Sequence, residues 1–264
     1  MRALGRRSPR RAAGPILEVG VPIVLVTLWW AWSTRAGMIF FPPLPDILRS
    51  FRETWLAAPA GAEVLPSLER LGVGYAAAVL AGVGLGTLLG CSEAARRSAD
   101  PIVQFLRGIP PPALLPFGIL VFGIGDPMKV LMIAVVCLWP VLLNTIDGVG
   151  GVDPTLRETA RVYGLPLVTR LTRVILPAAS PQIVAGARTG LSLAIIMMVI
   201  SEMVASTNGI GYSILEAQQT FRIPEMWSGI LVLGVLGYLL NGLFVLLEGR
   251  LLRWHRGARA LEGA

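Results

Sequence analysis

The sequence predicts an all-α integral membrane protein with six transmembrane helices and both termini in the cytosol. Three observations carry this. Of 264 residues, 54% are hydrophobic and only 15% charged, against about 25% charged in a soluble domain, and the mean hydropathy is +0.69. Six stretches are apolar over roughly the 20 residues that a helix needs to cross a bilayer. Basic residues collect in alternate connections between them. A soluble fold of this composition would lack the charged groups to cover its surface.

The spans fall at about 16–34, 71–89, 102–124, 130–146, 183–205 and 226–247, within a membrane domain over 15–250 flanked by basic tails at 1–14 and 251–264. The first follows an arginine-rich start, as a signal peptide would. Its apolar run is longer than a usual signal core and only Ala31-Trp32-Ser33 offers a cleavage site, so an uncleaved helix is expected. With the N terminus inside, 17 of the 23 basic residues face the cytosol; Arg35, Arg49, Arg52, Arg70, Lys129 and Arg222 face outward. That is the positive-inside bias, and Trp29, Trp30, Trp32, Phe40, Phe41 and Trp227 then form an outer aromatic belt.

Several functions are excluded at this stage. The formal net charge of +7 comes from 22 arginines and one lysine, set between apolar runs rather than along one aromatic-interleaved surface, so nucleic acid is not a partner. Cys91 and Cys137 lie far apart, and the one histidine, His255, is in the basic tail. Neither a disulfide framework nor a metal centre is expected.

Within the spans, Gly82, Gly86 and Gly90 repeat every four residues, preceded by Gly74 and Ala78. One helix face is therefore open to close backbone approach, within one subunit or between two. The third span is interrupted by Pro110, Pro111, Pro112 and Pro116 after Gly108, so no regular helix runs through it. Such a break lines a substrate path in some transporters; the alternative is an interfacial kink with Arg107 reaching the headgroups. Asn144 and Ser192 line the same path or bond across helices. Glu202 and Asp147, near span ends, are either functional or anchor loops.

The connection between the fourth and fifth spans carries the sharpest signal. Asp153 caps a helix whose first position is Pro154, and Gly164 suits the left-handed residue after its end. Leu165-Pro166 opens a second helix that is expected to stop before Pro177. Each helix has one apolar stripe, Leu156/Ala160/Tyr163 and Leu167/Leu171/Val174. Helices of about ten residues are unstable alone in water, so both must dock.

Glu158-Thr159-Ala160, then Gly164, then Val174-Ile175-Leu176-Pro177 resembles the EAA motif of ABC-importer permeases, with Thr159 and Val174 as conservative departures. The stretches Phe41–Pro45, Gln104–Pro111, Ser201–Met203 and Gly209–Tyr212 resemble the nitrate/sulfonate/taurine branch, over roughly residues 40–255. The resemblance implies a type I importer transmembrane domain in the bacterial inner membrane. It implies a second permease copy, two cytosolic ATPase subunits that hold ATP and Mg, and a periplasmic binding protein that supplies a small organic anion such as a sulfonate. It also implies that Glu158, Thr159, Ala160, Gly164, Leu176 and Pro177 couple the ATPase to the helices. No cofactor is expected on this chain, which lacks a G-x-x-x-x-G-K-[ST] loop and so is not the ATPase. An ion-coupled carrier or channel is the alternative reading, although no midplane carboxylate or repeated half supports it. A membrane-embedded enzyme would need clustered catalytic side chains that the spans do not contain.

Overall fold

A computed structural model describes residues 10–36, 39–57 and 61–254. Parts of the basic tails, His255 among them, lie outside these. The described residues form helices and short connections with no strand among them. In order they are α1 (Arg10–Ala36), α2 (Leu44–Phe51), α3 (Gly61–Gly90), α4 (Glu93–Arg107), α5 (Leu115–Phe122), α6 (Asp126–Gly150), α7 (Pro154–Val162), α8 (Leu167–Arg170), α9 (Leu176–Val204), α10 (Ile210–Gln219) and α11 (Ile223–Leu251). Among the described residues, helices α3, α6, α9 and α11 are each long and apolar enough to cross a membrane, and the bent α4–α5 pair would be a fifth if taken as one span; α1 has 27 residues.

α6 is the centre, with α3 packed on one side and α9 on the other. The glycine stripe of α3 explains how close they come. A Cβ added at Gly74, Gly82, Gly86 or Gly90 would fall 2.6–2.8 Å from Val130, Val141, Thr145 or Val149 of α6. Ala78, between them, is 1% exposed. The stripe thus packs within one subunit. The opposite side of α6 repeats the device, because Gly186 of α9 rests on the Pro140 carbonyl and the Asn144 side chain. Lipid offers apolar side chains no gain on leaving it, so such close van der Waals contact is what holds membrane helices together.

The third span is broken where its prolines fall: α4 and the segment Pro111–Phe122 meet at 82°. Proline at 110, 111 and 112 removes three consecutive donors, and a short 3-10 turn over Pro111–Leu114 takes the place of the lost ladder. The pair still reaches from one end of α6 to the other, since Val103 clusters with Leu142 and Ile146 while Gly118 lies against Met128 and Met132. The second loop helix does not stop before Pro177. A π turn over Leu171–Ile175 runs straight into α9, with the Leu176 amide bonded five residues back to the Leu171 carbonyl. Pro177 sits in the first turn of α9, where a missing donor costs little.

Part of the expected aromatic belt is a cluster. Trp29 and Trp32 of α1 meet Trp227 and Phe41 at centroid distances of 5.7 and 5.6 Å, and the Trp227 indole donates to the Phe40 carbonyl at 3.0 Å. It joins the end of α1 to the start of α11. On α11 only Ile223, Ser228 and Gly229, in its first turns, are buried; the rest of the helix presents an apolar outer face.

Gly86→Ala should destabilise the purified protein by ~1–3 kcal/mol through overpacking against Thr145. Gly84→Ala, whose Cβ meets nothing within 4 Å, should cost nothing. Thermal unfolding of the two variants in the same detergent compares them directly.

Candidate functional site

The first helix of the connection between α6 and α9 is capped at both ends. Asp153 accepts from the Thr155 amide at 2.8 Å and so caps α7. At the far end Gly164 has φ +64°. Its amide donates to the Arg161 carbonyl, and the Leu165 amide to the Ala160 carbonyl, at 3.0 and 3.1 Å. This is a Schellman end, which glycine enters without a steric penalty. Only part of the apolar stripe docks on the chain itself. Ala160 is buried, and the Arg157 guanidinium donates to the Val149 carbonyl at the end of α6. Tyr163, Val162, Val168 and Leu167 remain 79%, 85%, 70% and 59% exposed, and Glu158 and Thr159 point outward beside them. The helix runs without a break from Leu167 to Val204, past Leu176 and Pro177, and so joins this surface to the bundle.

The residues expected on a path are not gathered in one place. Arg107, Gly108 and Pro110 lie together at the bend. Arg107 also lines a groove of about 270 Å³ with Gln104, Asp100 and Arg96 of α4, and Leu143 and Asp147 of α6. Asn144 is turned to the other side of α6, where its amide nitrogen donates to the Pro140 carbonyl at 2.8 Å and its oxygen accepts from Gln182 at 3.1 Å. It joins α6 to α9. Ser192 is exposed, out of register with the Gly186 and Gly190 face that meets α6. Glu202 is fully buried, with 0% exposure, and lines no opening.

Glu202 is the middle of a charge cluster that the sequence reading missed. Its carboxylate accepts from the Ser67 hydroxyl at 2.7 Å, the Arg70 guanidinium at 2.8 Å and the Gly211 amide at 3.0 Å. Arg70, 3% exposed, also donates to Asp126 at 2.7 Å and to the Asn208 side chain. Lys129, likewise 3% exposed, lies 3.5 Å from Asp126. Both cations had been placed in outer loops. The N terminus of α10 completes the arrangement, because the Gly209, Ile210 and Gly211 amides donate to Glu63, Ser67 and Glu202 respectively. Three otherwise unpaired helix donors are thus satisfied, two of them by carboxylates that the helix dipole favours. Gly209 has φ +109°, and its Cβ would fall 2.5 Å from the Glu202 carboxyl carbon, so no other residue fits. Glu63, Ser67 and Arg70 follow i, i+4, i+7 spacing on one face of α3, and that polar stripe was the available signal.

A multi-pass helical bundle with an exposed apolar surface on the loop between two long spans has the form of a membrane transport subunit. The comparisons agree. The family of binding-protein-dependent transport system inner membrane components matches residues 78–253. The chain is 32% identical to a Bacillus subtilis protein named as an aliphatic sulfonates transport permease, SsuC, covering 96% of this chain and 92% of that one. It is 32% identical to the Escherichia coli taurine transport system permease protein TauC, over 90% of each chain. The Synechocystis nitrate import permease protein NrtB is 34% identical, with 91% of this chain and 94% of that one covered. Among solved structures, an inward-facing form of the methionine ABC transporter MetNI superposes with a TM-score of 0.62 at 21% identity, over 72% of this chain and 94% of that one. The chain belongs to the family of binding-protein-dependent ABC-importer permeases, in the branch that contains the sulfonate, taurine and nitrate proteins. It is a multi-pass membrane subunit that works with an ATPase and a binding protein, and it is not an enzyme. The ion-coupled carrier is set aside.

Removing one partner of a buried ion pair leaves the other uncompensated. Arg70→Ala should therefore cost ~3–5 kcal/mol, with an additional Glu202→Ala recovering part of it. Asp126→Asn, at a side chain that is 65% exposed, should cost about 1 kcal/mol or less. Melting temperatures of the four proteins in detergent test the ordering.

Proposed function

We propose that this chain is the membrane-spanning half of a homodimeric ATP-driven importer. It receives a small organic anion, a sulfonate such as an alkanesulfonate or taurine, from a periplasmic binding protein and releases it to the cytosol. Two ATPase subunits hold ATP and Mg and dock on the Asp153–Pro177 connection. The chain crosses the bacterial inner membrane six times with both termini in the cytosol.

The observation that carries this reading is the apolar surface of Val162, Tyr163, Leu167 and Val168, left without a partner on a helix pair continuous with a 29-residue span. Glu158 and Thr159 stand at its polar rim. Ala160 and Gly164 hold the shape of α7, and Leu176 and Pro177 begin the span that moves. The choice of a sulfonate is supported by relatives similar over nine-tenths of the chain; the nitrate relative makes nitrate the next substrate to try. The bend at Gly108–Pro110 with Arg107 beside it is the part of the path most suited to an anion.

Gly164→Trp tests the coupling role cleanly. A Cβ there meets nothing within 4 Å, and the positive φ costs ~1–2 kcal/mol. ATPase co-purification and uptake should both fall sharply while the membrane domain remains inserted. Glu158→Lys should act more mildly, since a rim contact is worth ~1 kcal/mol or less. Wild-type uptake by Gly164→Trp with the ATPase still bound would refute the coupling role. Growth on an alkanesulfonate as sole sulfur source should require the chain; unchanged growth in a deletion strain, with nitrate uptake lost, would reassign the substrate.

Orientation is checked separately. In a variant with Cys91→Ser, a cysteine at Thr155 should react only with reagents admitted to the cytosol, and one at Thr207 with reagents outside. The reverse pattern would invert the topology.

A further inference from the structure

At the end of the bundle that holds the α6–α9 connection, two adjoining cavities share Cys91 and Arg157. The larger, about 470 Å³, opens between the last residues of α3 and α6, Gly90 and Gly150, and is lined by Arg96, Arg97 and Arg157 together with Glu93. The smaller, about 90 Å³, adds Arg161 and Arg170. Five guanidinium groups therefore surround one cleft. Two are already balanced: Arg97 pairs with Glu93, and Arg96 lies 3.6 Å from Asp147. Among the described residues no carboxylate lies within ion-pair distance of Arg157, Arg161 or Arg170. The Arg157 Nε is shielded from solvent with no hydrogen-bond partner. Unpaired buried donors of a charged group are costly, and three like charges at one cleft repel each other. The repulsion falls if an anion is bound.

The cleft's level identifies the anion. From Arg70 to Gly90 α3 rises about 30 Å, the thickness of a hydrocarbon core, so Gly90 ends the apolar span where phosphate headgroups lie. Leu85 and Leu88, just above it on α3, are 47% and 69% exposed and offer an apolar wall for acyl chains. Forked guanidinium donors match the oxygens of a phosphate, and a cleft of this volume admits a headgroup. We infer that this cleft is a binding site for the phosphate of an anionic phospholipid, held by Arg157, Arg161 and Arg170 beside the coupling connection. The bound lipid neutralises the face of α7 and α8 that turns toward the bundle, leaving their apolar face free.

Native mass spectrometry of the detergent-purified permease with its ATPase subunits tests this, using phosphatidylglycerol, phosphatidylcholine and inorganic phosphate as probes. Phosphatidylglycerol should bind in preference to phosphatidylcholine. Arg161→Gln and Arg170→Gln should each weaken it about fivefold, the effect of one basic residue at a charged surface. The paired Arg161→Lys, Arg170→Lys variant should retain much of the binding. Arg222→Gln, at the other end of the bundle among Glu216 and Glu225, is the control and should not change it. Inorganic phosphate that displaces the lipid with the same arginine dependence would support the phosphate chemistry and the shared site. Phosphate bound in an arginine-dependent way without any preference for phosphatidylglycerol would overturn the lipid as its source. Equal binding of both lipids by wild type and glutamine variants would overturn the site. Loss of the ATPase in the glutamine variants, with lipid binding unchanged, would also overturn it and make the cleft part of the ATPase interface. Because Gly164→Trp removes coupling without touching these arginines, failure of one reading is distinguishable from failure of the other.

Discussion

Close approach of α3 and α9 to the two sides of α6 is the constraint on which the rest of this structure depends. Inside a bilayer no hydrophobic effect drives apolar helices together, and contact energy rises only if backbones come near. Gly74, Gly82, Gly86 and Gly90 provide that on one side, Gly186 and Gly148 on the other. Once the three helices are locked, the bent α4–α5 pair and α11 are placed around them, and the ends of α6 define the two polar levels of the protein.

Those two levels are built in contrasting ways. At the Asp126 end, opposite charges are paired and sealed: Arg70 donates to Glu202, while Glu63, Ser67 and Glu202 accept from the first amides of α10. Buried ion pairs of this kind contribute less net stability than their number suggests, but they impose register, because any shift strands a charge. Here they tie α3, α6, α9 and α10 to one another at a single point. At the Gly150 end, three arginines of one cleft lack carboxylate partners among the described residues, and an apolar surface is left open. One end is closed within the chain, whereas the other leaves charge and apolar surface open.

This asymmetry suits a subunit that transmits force. A helix pair that packed fully onto its own bundle would have no surface for an ATPase, and one without a firm connection would move without consequence. Ala160 and Arg157 hold α7 to the end of α6, while the π turn at Leu171–Ile175 makes α8 and α9 one helical body. The proline at 177, which reads as a stop in sequence, is accommodated because a π turn and a first helical turn both leave amide donors unused.

The sequence by itself determined the membrane class, the long apolar helices, the short capped helix ending at Gly164 and the family. Each of these rests on local periodicity, on charge counts or on spacing, which a chain displays without being folded. The glycine stripe was legible as a packing face, but its partner was not, since α6 and a second subunit satisfy the same pattern. Arg70 and Lys129 read as loop cations because they flank apolar runs. Only the tertiary structure showed them buried, through contacts to Glu202 and Asp126 that lie 132 residues and 3 residues away respectively. The scatter of Asn144, Ser192 and Glu202 over different faces has the same origin. Which side of a helix meets a neighbour depends on the rotation of each helix about its axis, and that rotation is decided by packing among helices distant in sequence.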